Sequence, residues 1–287
     1  MSNKVRSKQI IIIAGMLALV GFLFSREVKG LIKPKEEQQQ AVTQPEANTH
    51  STFTVDNASA IGHEAVSMTI GKEISALEST YKKASESDQF SQAKVLAKKW
   101  DDVEQSIPSA MYLEVVAIKE PVLNNWLAAG TRFLKAFDNT RDSVVRTEML
   151  QRANGSFTKA MALDSSSIEA KTGLGVTIVN GMGAPMQGIT MLLDVVKRDP
   201  KNMRANMNLG VFAIQSGQFD KAITRFNTII STIQATPDAY FYLGKAYESL
   251  GKNTEAIDAY LNSKKLAANP TFTKFIDERI AEIKNKR

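Results

Sequence analysis

The amino-acid sequence predicts an all-α protein, an α-solenoid of helical hairpins that follows an N-terminal transmembrane helix. From Glu64 onward, apolar residues recur at helical spacing and are interrupted about every 15 residues by Gly, Pro, Asp or Asn. Glycines then repeat at a nearly fixed period: Gly175 and Gly210 are 35 residues apart, and Gly210 and Gly244 are 34 apart. An uncharged apolar run near the N-terminus predicts the membrane span.

Residues 1–32 are predicted to form a basic tail and an uncleaved signal-anchor. Residues 9–25 carry no charge, and basic side chains on both sides can extend the reach of this short apolar run across a bilayer. The alternative is a cleaved signal peptide, which needs small residues one and three positions before the cut. Leu23 occupies the third position before a cut after Ser25, so the sequence favours the anchor.

Charge is concentrated in this N-terminal segment. Seven of the 36 basic residues and one of the 30 acidic residues lie in the first 35 residues, so the rest of the chain is balanced and the net charge of +6 belongs to the tail. A nucleic-acid-binding domain would carry its own basic excess, so we expect no nucleic-acid partner. The basic residues flank the apolar run almost equally, and a short basic tail ahead of it favours a cytoplasmic N-terminus.

A flexible linker is predicted over residues 33–60. This stretch contains Pro34, Pro45, a run of three glutamines and many Thr, Asn and Ser, a composition that cannot build a core. As a flexible coil it would span roughly 30 Å. The linker would therefore hold a folded domain away from the bilayer surface.

Residues 121–270 contain the repeats. The clearest unit consists of Tyr240, Leu243, Gly244, Tyr247, Ala256, Tyr260 and Pro270. This pattern resembles the tetratricopeptide-repeat family, in which two helices of each repeat carry small and aromatic residues at fixed positions. The preceding unit has Asn206 in place of the first aromatic residue and Ile229 in place of the last small one. Another unit, with Gly175, Gly188 and Pro200, precedes it. The resemblance implies a right-handed solenoid.

Weaker units lie upstream. Trp126, Gly130 and Phe133 repeat the first-helix pattern, and Ala153, Phe157 and Ala160 repeat the second after an insertion of about three helical turns, which predicts longer helices. Residues 61–120 are predicted to be helical with one degenerate repeat. Residues 271–287 are predicted to form a capping helix, because one of its faces is apolar and the other is charged.

No catalytic, metal-binding or phosphate-binding motif is predicted for this chain. It has no cysteine and only two histidines, and His63 with Glu64 lacks the second histidine of a zinc-protease motif because Ser67 stands in its place. The glycines at 181, 183 and 188 lack the strand and the Lys-Ser/Thr of a phosphate-binding loop. We therefore expect no enzyme activity, no cofactor and no metal.

The resemblance implies a protein-binding groove on the inner side of the first helix of each repeat. Spacing from each Leu-Gly pair selects Thr172, Val176, Val179, Met207, Val211, Ile214, Phe241, Lys245 and Glu248. Most are apolar, which favours an amphipathic helix or an extended apolar segment as the partner, unless the chain covers them itself. The groove lacks the Lys and Asn set with which some family members hold a partner's C-terminal carboxylates.

Membrane-anchored bacterial members of the family imply a scaffold on the periplasmic side of the inner membrane. The membrane would be reached through residues 10–25, and the partners would be proteins. The alternative function is that of a structural subunit in a larger envelope complex, in which the outer face and the capping helix would also be buried.

Overall fold

Thirteen α-helices and one π-helical turn form residues 53–285, the part of the chain that the computed structural model describes. The first seven helices are α1 (Val55–Glu64), α2 (Met68–Lys83), α3 (Glu86–Asp102), α4 (Ser106–Lys119), α5 (Leu123–Asn139), α6 (Ser143–Leu163) and α7 (Ile168–Gly181). The others are α8 (Pro185–Arg198), α9 (Met203–Gln215), α10 (Phe219–Thr228), the π-helical turn (Ile229–Ile233), α11 (Pro237–Ser249), α12 (Asn253–Leu266) and α13 (Pro270–Asn285).

Consecutive helices pack as hairpins, and the hairpins stack into a solenoid. The repeat hairpins are α5 with α6, α7 with α8, α9 with α10, and α11 with α12, and the first helices α5, α7, α9 and α11 contact one another in that order. This arrangement confirms the predicted helical solenoid over the described residues. The predicted transmembrane helix lies outside them, and no helix within residues 53–285 is long and apolar enough to cross a membrane.

The hairpins close because glycines of first helices lie directly against large side chains of second helices. A Cβ at Gly210 would lie 2.6 Å from the Phe226 ring, and one at Gly244 would lie 2.8 Å from the Tyr260 ring. Both distances are too short for a real Cβ atom, so only glycine allows these rings to fill the space between the helices. The glycine period therefore has a packing cause.

The turns inside two hairpins also require glycine. Gly217 and Gly251, which are 34 residues apart, have φ angles of 73° and 70°, in the left-handed region that glycine adopts without a steric penalty. They lie two residues after the ends of α9 and α11, at the points where the chain reverses into the second helix of each repeat. The repeat period thus marks the turns as well as the helix contacts.

The two departures from the repeat pattern are accommodated locally. Asn206 is buried, but its amide donates to the carbonyls of Pro200 and Asn202 at 3.0 and 2.9 Å, and its oxygen accepts from Arg225 at 3.1 Å. A fully hydrogen-bonded side chain can replace an aromatic one without leaving an unsatisfied polar group. The π-helical turn begins at Ile229, where the pattern has a small residue and this chain buries an isoleucine.

Three helices can be compared with the boundaries predicted from the sequence: the first, the longest and the last. Helix α1 begins at Val55, so the last residues of the predicted linker are helical; a reciprocal pair of hydrogen bonds between Thr54 and Asn57 caps this helix. Helix α6 extends over 21 residues, in the region where inserted turns were predicted. At the other end, α13 buries Ile276, Ile280 and Ile283 against α12.

Candidate protein-binding groove

The inner faces of the first helices form a cleft of about 560 Å³. Helices α5, α7, α9 and α11 supply most of its walls, and α6 contributes one side chain, Arg146. The lining residues are Leu134, Phe137, Asp138, Arg146, Val176, Asn180, Arg204, Met207, Asn208, Val211, Gln215, Asp238 and Tyr242. We call this cleft the inner groove.

Three of the residues selected from the sequence line the inner groove. They are Val176 from α7 and Met207 and Val211 from α9. Val176 is almost fully buried, whereas Met207 and Val211 are half-buried. Together they provide an apolar strip across two neighbouring repeats.

Three further selected residues lie between helices and not in the groove lining. Thr172 is buried and its hydroxyl donates to the Ile168 carbonyl at 2.7 Å. Val179 lies against Gly188 of α8, and Ile214 packs against the core cluster to which α9, α10 and α11 contribute. Their contacts are those of core residues.

The last three selected residues lie where α11 meets α13. Phe241 contacts the rings of Tyr260, Phe272 and Phe275, with centroid distances of 5.6 to 6.0 Å. Phe241 and Lys245 line a separate pocket of about 240 Å³.

Glu248 is part of the attachment of α13 to α11. Its carboxylate accepts hydrogen bonds from Arg279 at 2.5 and 3.0 Å and from the Tyr260 hydroxyl at 3.0 Å. The capping helix α13 therefore contacts Phe241 and Glu248, two of the residues predicted to line the binding groove.

Several polar residues of the groove were not selected from the sequence. Arg204, Asn208 and Gln215 share a stripe of α9 with Val211. The side-chain amide of Asn180 donates to the Val176 carbonyl at 2.8 Å and faces the Asn208 oxygen at 3.4 Å. The three polar residues of α9 lie within two helical turns of Val211, so extending the selected positions along α9 would have identified them.

The environment of the groove shifts the pKa values of its ionisable side chains. Desolvation raises the pKa of Asp138, although the nearby Arg204 and Arg146 pull that pKa downward. Burial lowers the pKa of Arg204, and Asp138 opposes this shift. Burial also raises the pKa of the Tyr242 hydroxyl, with further contributions from Asp238 and Asp138. Asp138 and Arg204 therefore attract each other across the groove.

His63 has a packing role in the described structure. Its Nε2 lies 3.0 Å from a carboxylate oxygen of Glu78, and its ring meets the edge of Trp100 at 5.1 Å between centroids. Within residues 53–285, no group of three or more His, Asp or Glu side chains is placed to hold a metal ion.

Comparisons with known proteins identify the repeats. A tetratricopeptide-repeat family model matches residues 181–238 and 213–270. Anaphase-promoting complex subunit 3 of Dictyostelium discoideum is 29% identical over 101 residues, which cover 35% of this chain and only 10% of that protein.

Solved structures extend the similarity in fold beyond the matched repeats. A tetratricopeptide-repeat protein from Parabacteroides merdae superimposes with a TM-score of 0.53 at 12% identity, covering 82% of this chain and 86% of that one. PilW, described as a widely conserved type IV pilus biogenesis factor, gives a TM-score of 0.53 at 16% identity, covering 70% and 88%. At these identities the similarity concerns the fold alone. Residues 181–270 therefore contain tetratricopeptide repeats, and the stacked hairpins of the described residues share the fold of solved tetratricopeptide-repeat proteins.

Proposed function

We propose that this protein is a non-enzymatic scaffold that binds a segment of a partner protein in its inner groove. The supporting observation is that the groove combines an apolar strip with exposed charged side chains, such as Asp138 and Arg204, that attract each other without a direct ion pair among residues 53–285. Lys171 and Asp194, outside the groove, form a direct ion pair at 2.5 Å. Charged side chains of a concave surface that are not held in direct ion pairs supply specificity when a partner provides the opposite charges.

The groove chemistry suits an extended segment. Asn180 and Asn208 lie on neighbouring first helices, and a side-chain amide can both donate to and accept from a peptide backbone. Val176 and Val211 offer apolar contact, and the flexible thioether of Met207 can adapt to different side chains. We therefore favour an extended, partly apolar segment over an amphipathic helix.

Peptide selection against the full-length protein tests this function. Replacing Val211 with aspartate is expected to raise the dissociation constants of the selected peptides by about 30-fold or more, which is the effect of losing a central interface contact. Met207→Gln, a neutral change in the same strip, is expected to weaken them less. Isothermal titration calorimetry measures both effects.

Val144→Asp is the matched control, because Val144 is an exposed valine of α6 outside the inner groove. Unchanged circular dichroism in all three variants would establish that they are folded. If folded Val211→Asp binds the peptides as well as Val144→Asp does, the interface lies elsewhere. A chain that yields no peptide but copurifies in a stable assembly would instead favour the structural-subunit function.

We also propose that residues 10–25 anchor the scaffold in the bacterial inner membrane, with the repeats on the periplasmic side. The support is the uncharged apolar run between basic flanks; the run itself lies outside the described residues. We expect the full-length mass of the protein in the membrane fraction, and cleavage of the repeats by protease added to the periplasmic face. Soluble protein with a mature N-terminus after Ser25 or Gly30 would contradict this proposal.

A further inference from the structure

A smaller pocket of about 260 Å³ adjoins the inner groove where the ends of α5 and α7 approach α6. Its lining residues are Phe137, Arg146, Thr147, Leu150, Gln151, Asn180, Gly181 and Met182. Phe137, Arg146 and Asn180 also line the groove, so a segment in the groove can place a side chain in this pocket. We call it the Arg146 pocket.

The guanidinium of Arg146 is oriented in advance of any binding. Its central carbon lies 3.8 Å from the centroid of the Phe137 ring, a stacked geometry that limits the rotamers of the side chain. Its one hydrogen bond to the described residues is a long contact of 3.5 Å to the Thr140 carbonyl. Most of its N–H donors therefore remain available to a ligand.

Among residues 53–285, no acidic side chain forms a direct ion pair with Arg146. Asp138 is close enough to interact electrostatically, but it lines the groove and not the Arg146 pocket. Asp142, one turn earlier on the chain, uses one carboxylate oxygen to accept the N–H groups of Val144 and Val145, both at 2.9 Å. Every lining side chain of the pocket except Arg146 is uncharged.

We propose that the Arg146 pocket binds the carboxylate of an aspartate or glutamate side chain within the segment held by the inner groove. A single guanidinium, with the side-chain amide of Gln151 in the same lining, matches a singly charged carboxylate in a two-point hydrogen-bonded geometry. A phosphate group carries nearly two charges and would call for a second cation, which this lining does not contain. The inference rests on the proposed function, because the groove supplies the segment.

Peptides selected against the full-length protein and synthesised with amidated C-termini test this pocket, because amidation removes the terminal carboxylate. We expect one acidic position to be enriched. Changing that acid to its amide, or changing Arg146→Gln, should each weaken binding by about 10-fold or more, and the two changes together should add little. Gln151→Leu provides a second variant that leaves the stacking on Phe137 intact.

Arg141→Gln is the matched control, because it removes the same charge from an exposed position five residues away that does not line the pocket. It should leave the dissociation constant unchanged. Peptides that lose binding in Val211→Asp but tolerate Arg146→Gln would overturn the pocket and leave the groove standing. Tighter binding of a phosphoserine at the acidic position would assign the pocket to phosphate and also overturn the proposal. If Val211→Asp has no effect either, both proposals fail.

Discussion

Replacing Gly188 with alanine is expected to lower the melting temperature of the protein by several degrees. A Cβ at this position would lie 2.7 Å from the carbonyl oxygen of Gly175 and 2.9 Å from the backbone nitrogen of Val179. Both atoms belong to the backbone of α7, so no side chain can move aside and the two helices must separate. Overpacking of this kind costs about 1–3 kcal/mol, or roughly 2–10 °C for a domain of this size.

Gly155→Ala is the control for this substitution, since it makes the same chemical change inside α6. A Cβ at Gly155 meets no atom within 4 Å, and alanine favours a helix interior by about 1 kcal/mol over glycine. Thermal unfolding followed by circular dichroism should therefore show an unchanged or higher melting temperature for this variant. Equal melting temperatures for the two variants would contradict the close approach of α7 and α8.

The hairpins could be predicted from the sequence because their packing is local and repeated. The last two repeat hairpins each bring a glycine against an aromatic ring at the same separation, as Gly210 and Phe226 and Gly244 and Tyr260 show. A contact that recurs every repeat leaves a period in the sequence, so both the hairpins and their turns follow from it. The start of α1 was missed because its residues lie in a polar stretch, where the Thr54 cap is the main helical signal.

The inner groove could be predicted only in part. Helical spacing selects Met207 and Val211 on α9, and both line the cleft. It cannot indicate which inward residues a later helix engages, and Phe241 contacts two rings of α13. It also cannot identify Arg146, which reaches the groove from α6 because that helix extends through the inserted region. Both features depend on how helices distant in sequence are oriented.

Replacing Arg152 with methionine is expected to cause the largest loss of stability, because this side chain joins three parts of the N-terminal region. Arg152 of α6 pairs with Glu114 of α4 and with Glu148 at 2.5 Å, and it donates to the Phe53 carbonyl at 2.8 Å, just before α1. Arg152 and Glu114 are only 18% and 16% exposed. Removing one member of such a buried network costs about 3–5 kcal/mol.

The expected fall in melting temperature is roughly 6–20 °C, accompanied by faster amide hydrogen exchange in α1, which loses its connection to α6. Arg198→Met is the matched control, because Arg198 is half exposed and its pair with Asp194 lies at the surface, where a pair contributes about 0–1 kcal/mol. Adding Glu114→Gln and Glu148→Gln to Arg152→Met should recover part of the loss, since neutral amides need no cation. If Arg152→Met melts no lower than Arg198→Met and α1 exchanges at its original rate, this network does not hold the first helix in place.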